Sequence, residues 1–420
     1  MIYLVSLYYP PVSNPSSSRI SHLARILIGK YGRENVRVVT GRPNYPDGRL
    51  SPEYRWRLFQ RRKGKWGEDI DHLYEIPAPF RGLVRKTLGL VSFAVSVFFY
   101  FGFRRMREED LIYVTSGPIF HVYVLSFLSR LKRNSRFVLE VRDLWPQTVA
   151  GMGFMREGTW VYKLLKSMSD EAHRRAVSSV GVVEGICDYI RAVTPDKDVD
   201  LVYNPVDTEI LKPPSQDEIA SFREEHTDLF CREGKTVFLY AGVHSCAMDL
   251  MNLGPALKSL SDTTRDFVFI LIGYGEDKQP LRQYIAANGL GEDVVFLPYM
   301  SREDLVKHIC AADFCFSSTR NKKIYEMVIP TKMCEYMACD KFVLAAHNCP
   351  FADRQSERGN ALICEPGNPQ KLSECMLELI RHADKYRKPR SARDYIVRNH
   401  SLQRFEELML GLFERYCRRD

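Results

Sequence analysis

Thr236-Val-Phe-Leu-Tyr240 and Phe267-Val-Phe-Ile-Leu-Ile272 are short runs uninterrupted by any charge. Apolar character that continues without polar alternation over five or six residues marks a strand buried on both faces, as in a parallel sheet. Val294 to Leu297, Phe314 to Ser317 and Phe342 to Ala345 repeat the pattern, with helical segments between them. The first half follows the same plan. Ile2 to Leu7, Val36 to Thr40, Leu111 to Thr115, Phe137 to Val141 and Ser179 to Val183 read as strands, and Ser18 to Lys30 as a helix. Strands alternating with helices predict parallel sheets with right-handed crossovers, an α/β class of Rossmann-like layers.

At 420 residues the chain exceeds what one core serves, so two doubly wound domains are expected. The Pro-dense stretch Asn204 to Pro214 reads as the linker between them, and Arg393 to Arg419 as a long helical tail. This predicts an N-terminal domain over 1–203, a C-terminal domain over 204–392 and a helix over 393–420 packing back toward the first. Ligands sit at the carboxyl ends of parallel strands, so the expected site is a cleft between two facing domains.

The formal charge of +8 favours anionic partners without choosing among them. No nucleic-acid module or basic tract is present, so nucleic acid is not an expected partner. Eleven cysteines form no CxxC pair and no zinc-type spacing with histidine. They read as reduced thiols, and the start, MIYLVSLYYPP, lacks the basic n-region and cleavage site of a signal peptide. Both features point to the cytoplasm.

The most informative segment is Val328-Ile-Pro-Thr-Lys-Met-Cys-Glu-Tyr-Met-Ala338. Pro330 suits a first helical turn, and Lys332 and Glu335 then share one helix face near its N-terminus. Free N–H groups and the helix dipole suit a diphosphate there; Lys332 adds a charge, and Glu335 can accept hydrogen bonds from a ribose diol. The same spacing also fits an exposed Lys–Glu pair on a surface helix.

The segment resembles the donor-binding element of family-4 retaining glycosyltransferases, a Pro-x-Lys-x-x-Glu-Tyr-x-Ala string before a buried strand. Further stretches match that family in order: Tyr8-Tyr-Pro-Pro11 with Ser16-Ser-Ser-Arg19, Arg42-Pro-Asn-Tyr-Pro-Asp-Gly48, Asp110 to Pro118, Val141-Arg-Asp-Leu-Trp-Pro146, Asn204-Pro-Val-Asp207, Tyr240-Ala-Gly242, Ile272-Gly-Tyr-Gly275 and Phe296-Leu-Pro-Tyr-Met300. The set is most similar to enzymes that build bacterial surface polysaccharides on polyprenyl-phosphate carriers. The resemblance implies a GT-B fold and transfer of a sugar from a nucleoside-diphosphate donor to a lipid-linked or other glycan acceptor. It places Glu335, Lys332, Thr331, Gly242, His244, Gly273, Gly275 and Tyr299 on the donor side. It places Arg142 and Asp143 at the catalytic edge, and Ser17, Ser18 and Arg19 on the acceptor side. Front-face attack, with the donor phosphate accepting the proton, is the mechanism it implies. No cofactor and no essential metal are expected, since Asp196-Lys-Asp198-Val-Asp200 reads as a solvated loop and Asp69-Ile-Asp71 lacks an apolar strand before it.

Four places depart from the family pattern. Met327 stands where many members have a first glutamate, with Glu326 one residue early. Arg142 replaces a histidine, and Arg142–Asp143 reads either as catalytic or as an ion pair closing a strand. Serines replace the first-loop glycines, and His244 reads either as a diphosphate ligand or as packing. These departures keep open a sugar-nucleotide epimerase or hydrolase, and a catalytically silent nucleotide-sugar-binding subunit.

Thr87 to Phe103, TLGLVSFAVSVFFYFGF, is uncharged and sits between Arg81, Arg85, Lys86 and Arg104, Arg105, Arg107. A run this short with basic residues at both ends suits a helix lying in an anionic membrane interface, giving a monotopic contact over 81–107 at the cytoplasmic face. A buried core helix is the other reading.

Overall fold

The computed structural model describes the chain apart from residues 13, 46, 47, 56, 79–82, 118, 133, 388–390 and 418–420. Pro46, Asp47, Arg81 and Pro118, used above, therefore lie outside the described residues. The chain divides into two compact units, Met1–Asn204 with Phe405–Asp420, and Pro205–Arg404.

The first unit is built on β1 (Ile2–Ser6), β2 (Val36–Thr40), β3 (Phe59–Lys63), β4 (Asp69–Leu73), β5 (Leu111–Thr115), β6 (Phe137–Val141), β7 (Ser178–Gly181) and β8 (Val199–Leu201). They form one sheet in the order β3-β4-β2-β1-β5-β6-β7-β8, parallel except for the β3–β4 pair. Every residue of β1, β5 and β6 is buried, which explains their apolar character, broken only by the paired Glu140 of β6 and the terminal hydroxyls of Ser6 and Thr115. The order reverses between β1 and β5, so a ligand crevice opens beyond Ser6 and Thr115.

β3 is absent from the sequence reading for a physical reason. Its residues, FQRRK, cover a sheet edge, where charge blunts pairing with other chains. Arg61 and Lys63 reach across to Asp71 and Asp69 of β4. Asp69-Ile-Asp71 thus lies inside a strand, and Asp71 is buried among Arg61, Arg37 and the Tyr100 hydroxyl. Asp200 likewise belongs to β8 rather than to a solvated loop, and pairs with Arg415.

The segment over 87–103 is neither wholly core nor wholly exposed. It lies in α2 (Leu83–Gly102), which follows α1 (Pro15–Tyr31) and precedes α3 (Phe120–Leu131). Phe93, Val97 and Phe101 are buried, whereas Leu88, Val91, Val95, Phe98, Phe99 and Phe103 are exposed. Among the described residues no helix is long and apolar enough to cross a membrane.

The second unit carries β9 (Thr236–Ala241), β10 (Phe267–Ile272), β11 (Val294–Leu297), β12 (Phe314–Ser318), β13 (Val343–Ala346) and β14 (Ala361–Ile363). All pair in parallel, in the order β11-β10-β9-β12-β13-β14, with the reversal between β9 and β12. All eleven cysteines are free thiols, seven of them buried. Each unit is thus a Rossmann-like α/β domain built on a largely parallel sheet.

The tail expected as one helix is two. One spans Ala392–His400 in the second unit, and the other, Leu402–Tyr416, enters the core of the first through Phe405, Met409, Leu412 and Phe413. The break falls at Ser401, whose backbone is extended and whose hydroxyl accepts from the Arg404 amide at 3.1 Å, an N-cap bond. The Val206 amide donating to the His400 carbonyl at 2.6 Å pins it further.

Arg19 of α1 ties the first unit together. Its Nε donates to Glu140 Oε2 at 2.7 Å, its Nη2 to the Val202 carbonyl at 3.0 Å and its Nη1 to the Tyr203 carbonyl at 2.7 Å. Its guanidinium lies 4.7 Å from the Phe405 ring centroid, and the Tyr113 hydroxyl donates to the same Glu140 oxygen at 2.6 Å. Burial alone would raise the Glu140 pKa, but Arg19 and Arg142 outweigh it and hold it below the usual range. Arg19→Met should therefore cost about 3–5 kcal/mol in urea unfolding, because it strands a buried carboxylate, and Arg19→Met with Glu140→Leu should recover most of the loss. The wild-type advantage should be full above the ordinary carboxylate range and vanish as pH falls through the depressed Glu140 pKa.

Candidate functional site

In the second unit the ends of β9 and β10 are welded through backbone. Gly242 N donates to the Ile272 carbonyl at 3.0 Å, His244 N to the Tyr274 carbonyl at 2.7 Å, and Asp277 N to the His244 carbonyl at 3.0 Å. Gly242, Gly273 and Gly275 have φ of +149°, +131° and +152°, which side-chain-bearing residues rarely adopt. A Cβ on Gly273 would lie 2.0 Å from the Gly242 carbonyl oxygen, and one on Gly275 2.0 Å from that of His244. These glycines let two loops lie in direct contact at the carboxyl edge of the sheet.

The helix after β12, α4 (Thr331–Ala338), points its N-terminus at this edge. Pro330 is its N-cap rather than its first residue, and Thr331 is exposed. Tyr336 fixes its position, with its hydroxyl accepting from Ala241 N at 2.9 Å and donating to the Ala241 carbonyl at 3.3 Å. Lys332 then lies across Gly242, where an added Cβ would come within 2.2 Å of its Cε. Its ammonium is 3.2 Å from the Met248 thioether, a weak acceptor, and 5.4 Å from the Tyr240 ring centroid. Burial pulls its pKa down. Glu335, one turn on, is one-third exposed; burial raises its pKa, and Arg302 stands 3.7 Å away.

His244 is fully buried, edge-on to Tyr240 at 5.6 Å, and neither ring nitrogen has a hydrogen-bond partner. Burial lowers its pKa to about 4, so the ring is neutral at pH 7. Two basic groups escaped the sequence reading. Lys278 braces the loops by donating to the carbonyls of Gly273 at 2.6 Å and Leu297 at 2.9 Å. His347, just past β13, is held between the hydroxyls of Ser317 at 2.8 Å and Thr319 at 3.0 Å. Neither has a local sequence signal, since only the strand order brings them to this edge. Tyr299 is exposed and meets the exposed Tyr274 edge-on at 6.0 Å.

In the first unit Arg142 follows β6, its amide fixed by the Ser116 hydroxyl at 3.0 Å. Its Nη1 is buried without a partner, and burial lowers its pKa. Asp143 is exposed, and no ion pair joins the two. Ser17 is buried with an unpartnered hydroxyl beside the capped start of α1, and Ser18 is exposed. Arg19 departs from its expected place on the acceptor side. It is buried and points inward, donating to Glu140, to the carbonyls of Val202 and Tyr203 and to Asn204 Oδ1. Met327 is exposed, and Glu326 accepts from Asn348 at 3.5 Å.

Residues 221–394 match the family model described as glycosyl transferases group 1. That segment includes every donor-side residue named above, and it supports glycosyl transfer as the activity. Over the whole chain the fold matches solved GT-B structures. HepE of Anabaena in complex with UDP is 17% identical, with 99% of each chain covered and a TM-score of 0.67. Sucrose-phosphate synthase of Thermosynechococcus elongatus is 15% identical, with 99% of this chain and 98% of that one covered and a TM-score of 0.69. WaaG, a glycosyltransferase involved in lipopolysaccharide biosynthesis, is 11% identical, with 99% of each chain covered and a TM-score of 0.62. At these identities the likeness speaks for the fold. No curated protein sequence matches the chain.

Gly242→Ala tests the geometry. The methyl would have to displace Lys332, so nucleoside-diphosphate affinity should fall at least 10-fold while far-ultraviolet circular dichroism stays unchanged; calorimetric titration with UDP checks it.

Proposed function

We propose that this chain transfers a sugar, with retention of configuration and without an essential metal, from a nucleoside-diphosphate donor to a hydroxyl of a lipid-linked saccharide at an anionic membrane surface. The observation that carries the donor half is the desolvated Lys332 ammonium, lying on Gly242 at the start of α4 with only a thioether to bond. A desolvated cation at a helix N-terminus is matched to a diphosphate. The glycine-edged backbone supplies close approach. Glu335, one turn along, suits a ribose diol, and the exposed Tyr274–Tyr299 pair offers a surface for a base. HepE of Anabaena has been solved with UDP and with UDP-glucose, which favours a uridine donor here.

In this reading Arg142 and the donor-site cations offset leaving-group charge as the glycosidic bond breaks, while Asp143 orients the acceptor hydroxyl. Retention and front-face attack rest on the family resemblance. Ser17 and Ser18 stand on the acceptor side.

The membrane half rests on exposed apolar side chains. α2 packs on α3, and α3 on the helix Trp160–Arg175. Each leaves large groups in water: Leu88, Val91, Val95 and Phe99 on the first, Phe127 and Leu131 on the second, Trp160, Leu164 and Met168 on the third. Exposed Arg85 lies in the first turn of α2, and exposed Arg105 and Arg107 follow its end. Large apolar groups rimmed by cations suit a monotopic contact with anionic lipid at the cytoplasmic face.

A panel of nucleotide sugars with and without polyprenyl-linked saccharide tests the whole reading: acceptor-stimulated release of nucleoside diphosphate is expected, and acceptor-independent turnover would overturn it. Glu335→Ala should weaken donor binding by about 2 kcal/mol, roughly 30-fold. Donor affinity should drop on the acid side at higher pH than an ordinary carboxylate dictates, because burial raises Glu335, and on the alkaline side at lower pH than an ordinary lysine dictates, because burial lowers Lys332.

Sedimentation with vesicles containing anionic lipid tests the surface. Phe101 is core, at 1% exposure, so the informative pair is Phe99 and Phe103, the latter at 84%. Changing both to glutamate should cut binding at least 10-fold, given about 1.5–3 kcal/mol per buried phenylalanine; a wild type that ignores such vesicles sinks the membrane half.

A further inference from the structure

A small cavity in the first unit is not used by the chemistry above. Three loops that leave the carboxyl ends of strands line it: Tyr8 after β1, Asn44 and Tyr45 after β2, and Glu75 after β4. Its fourth wall is the start of α2, through Lys86 and Leu90. It measures about 20 Å³, room for the centre of one water-sized group. The Tyr8 and Tyr45 rings meet within it at 5.4 Å between centroids.

Glu75 is the unusual member. It is 5% exposed, its Oε2 has no hydrogen-bond partner, and it forms no ion pair among the described residues. Arg42, the nearest cation behind it, donates instead to the carbonyls of Glu75, Tyr54 and Arg57. The carboxyl is pressed against Gly41, where a Cβ would stand 2.4 Å from Oε2, so it cannot turn away to water. Burial, opposed by Asn44 and Arg42, raises its pKa to about 8. Near neutrality the group therefore keeps its proton, and it can both donate and accept.

We infer that this notch is an acceptor subsite that takes a single hydroxyl of a saccharide, gripped by the Glu75 carboxyl, while the aglycone lies toward the apolar face of α2. The size excludes a phosphate, which would also meet a carboxyl oxygen. Lys86 at the wall and Arg42 behind disfavour an ammonium. A neutral donor–acceptor of one heavy atom fits the volume, and a sugar hydroxyl is such a group. The first turns of α2 form the wall, and its outer face carries Leu88 and Val91, so head group and tail have neighbouring places on one helix. The inference rests on the membrane-bound saccharide acceptor proposed above.

The test is binding rather than turnover. The full chain is titrated, below micelle formation, with octyl glucoside, octyl galactoside and octyl N-acetylglucosaminide, and then with the monodeoxy analogues of whichever binds tightest. Removing the gripped hydroxyl should weaken wild-type binding about 10-fold or more, because a site built for a hydroxyl is left with an unpaired buried group. Glu75→Ala should erase that difference, and Glu75→Gln, which also donates and accepts, should keep part of it. Ala78→Leu, at the cavity wall, should block the sugar without touching the carboxyl. UDP affinity, which reports the second unit, should stay at the wild-type value in all three variants, and unchanged far-ultraviolet circular dichroism with an unchanged urea midpoint certifies that the first unit folds. The inference is overturned if no octyl glycoside binds, if no deoxy analogue loses more than twofold, as for a notch filled by a resident water, or if the discrimination survives Glu75→Ala. Discrimination without acceptor-stimulated donor cleavage would uphold the subsite and fault the transferase reading instead.

Discussion

A parallel sheet delivers the carboxyl ends of all its strands to one edge, and most of this protein's unusual chemistry follows from that constraint. Where strands stop pairing, backbone and side-chain polar groups lose their regular partners. In the second unit the edge is closed by loop-on-loop hydrogen bonds that only glycine permits at Gly242, Gly273 and Gly275. Among the described residues that closure leaves Lys332 only a thioether to bond and gives the ring nitrogens of His244 no partner. A cation desolvated but unpaired is costly in isolation, so the arrangement makes physical sense when an anion completes it.

The first unit uses the same edge differently. Its charges are mostly satisfied internally, with Arg19 and Glu140 joining α1, the sheet and the C-terminal helix into one network. Among the buried atoms it leaves without a partner are Nη1 of Arg142, the Ser17 hydroxyl and Oε2 of Glu75, together with others such as the Tyr31 hydroxyl and Nε of Arg37 and Arg42.

Much of the architecture was legible in the residues. Buried parallel strands must be apolar on both faces, so β1, β5, β9 and β10 announce themselves as unbroken runs. β3 did not, because an edge strand is stabilised by cross-strand charge pairs rather than by burial, and FQRRK has no such run. The 393–420 tail read as one helix because its periodicity continues through Ser401; the break depends on a bond to Val206, far away in sequence.

For function the division is similar. The sequence by itself determined the fold class and put Lys332 and Glu335 on one helix face, since both follow from spacing and local periodicity. Only tertiary structure decided what surrounds them, because desolvation, unpaired atoms and cavities arise from groups distant in sequence. It turned Arg19 inward, brought Lys278 and His347 to the carboxyl edge of the second sheet, and split α2 into a core face and an exposed apolar face. It also shut the Glu75 carboxyl into a notch one hydroxyl wide, a feature that no run of neighbouring residues encodes.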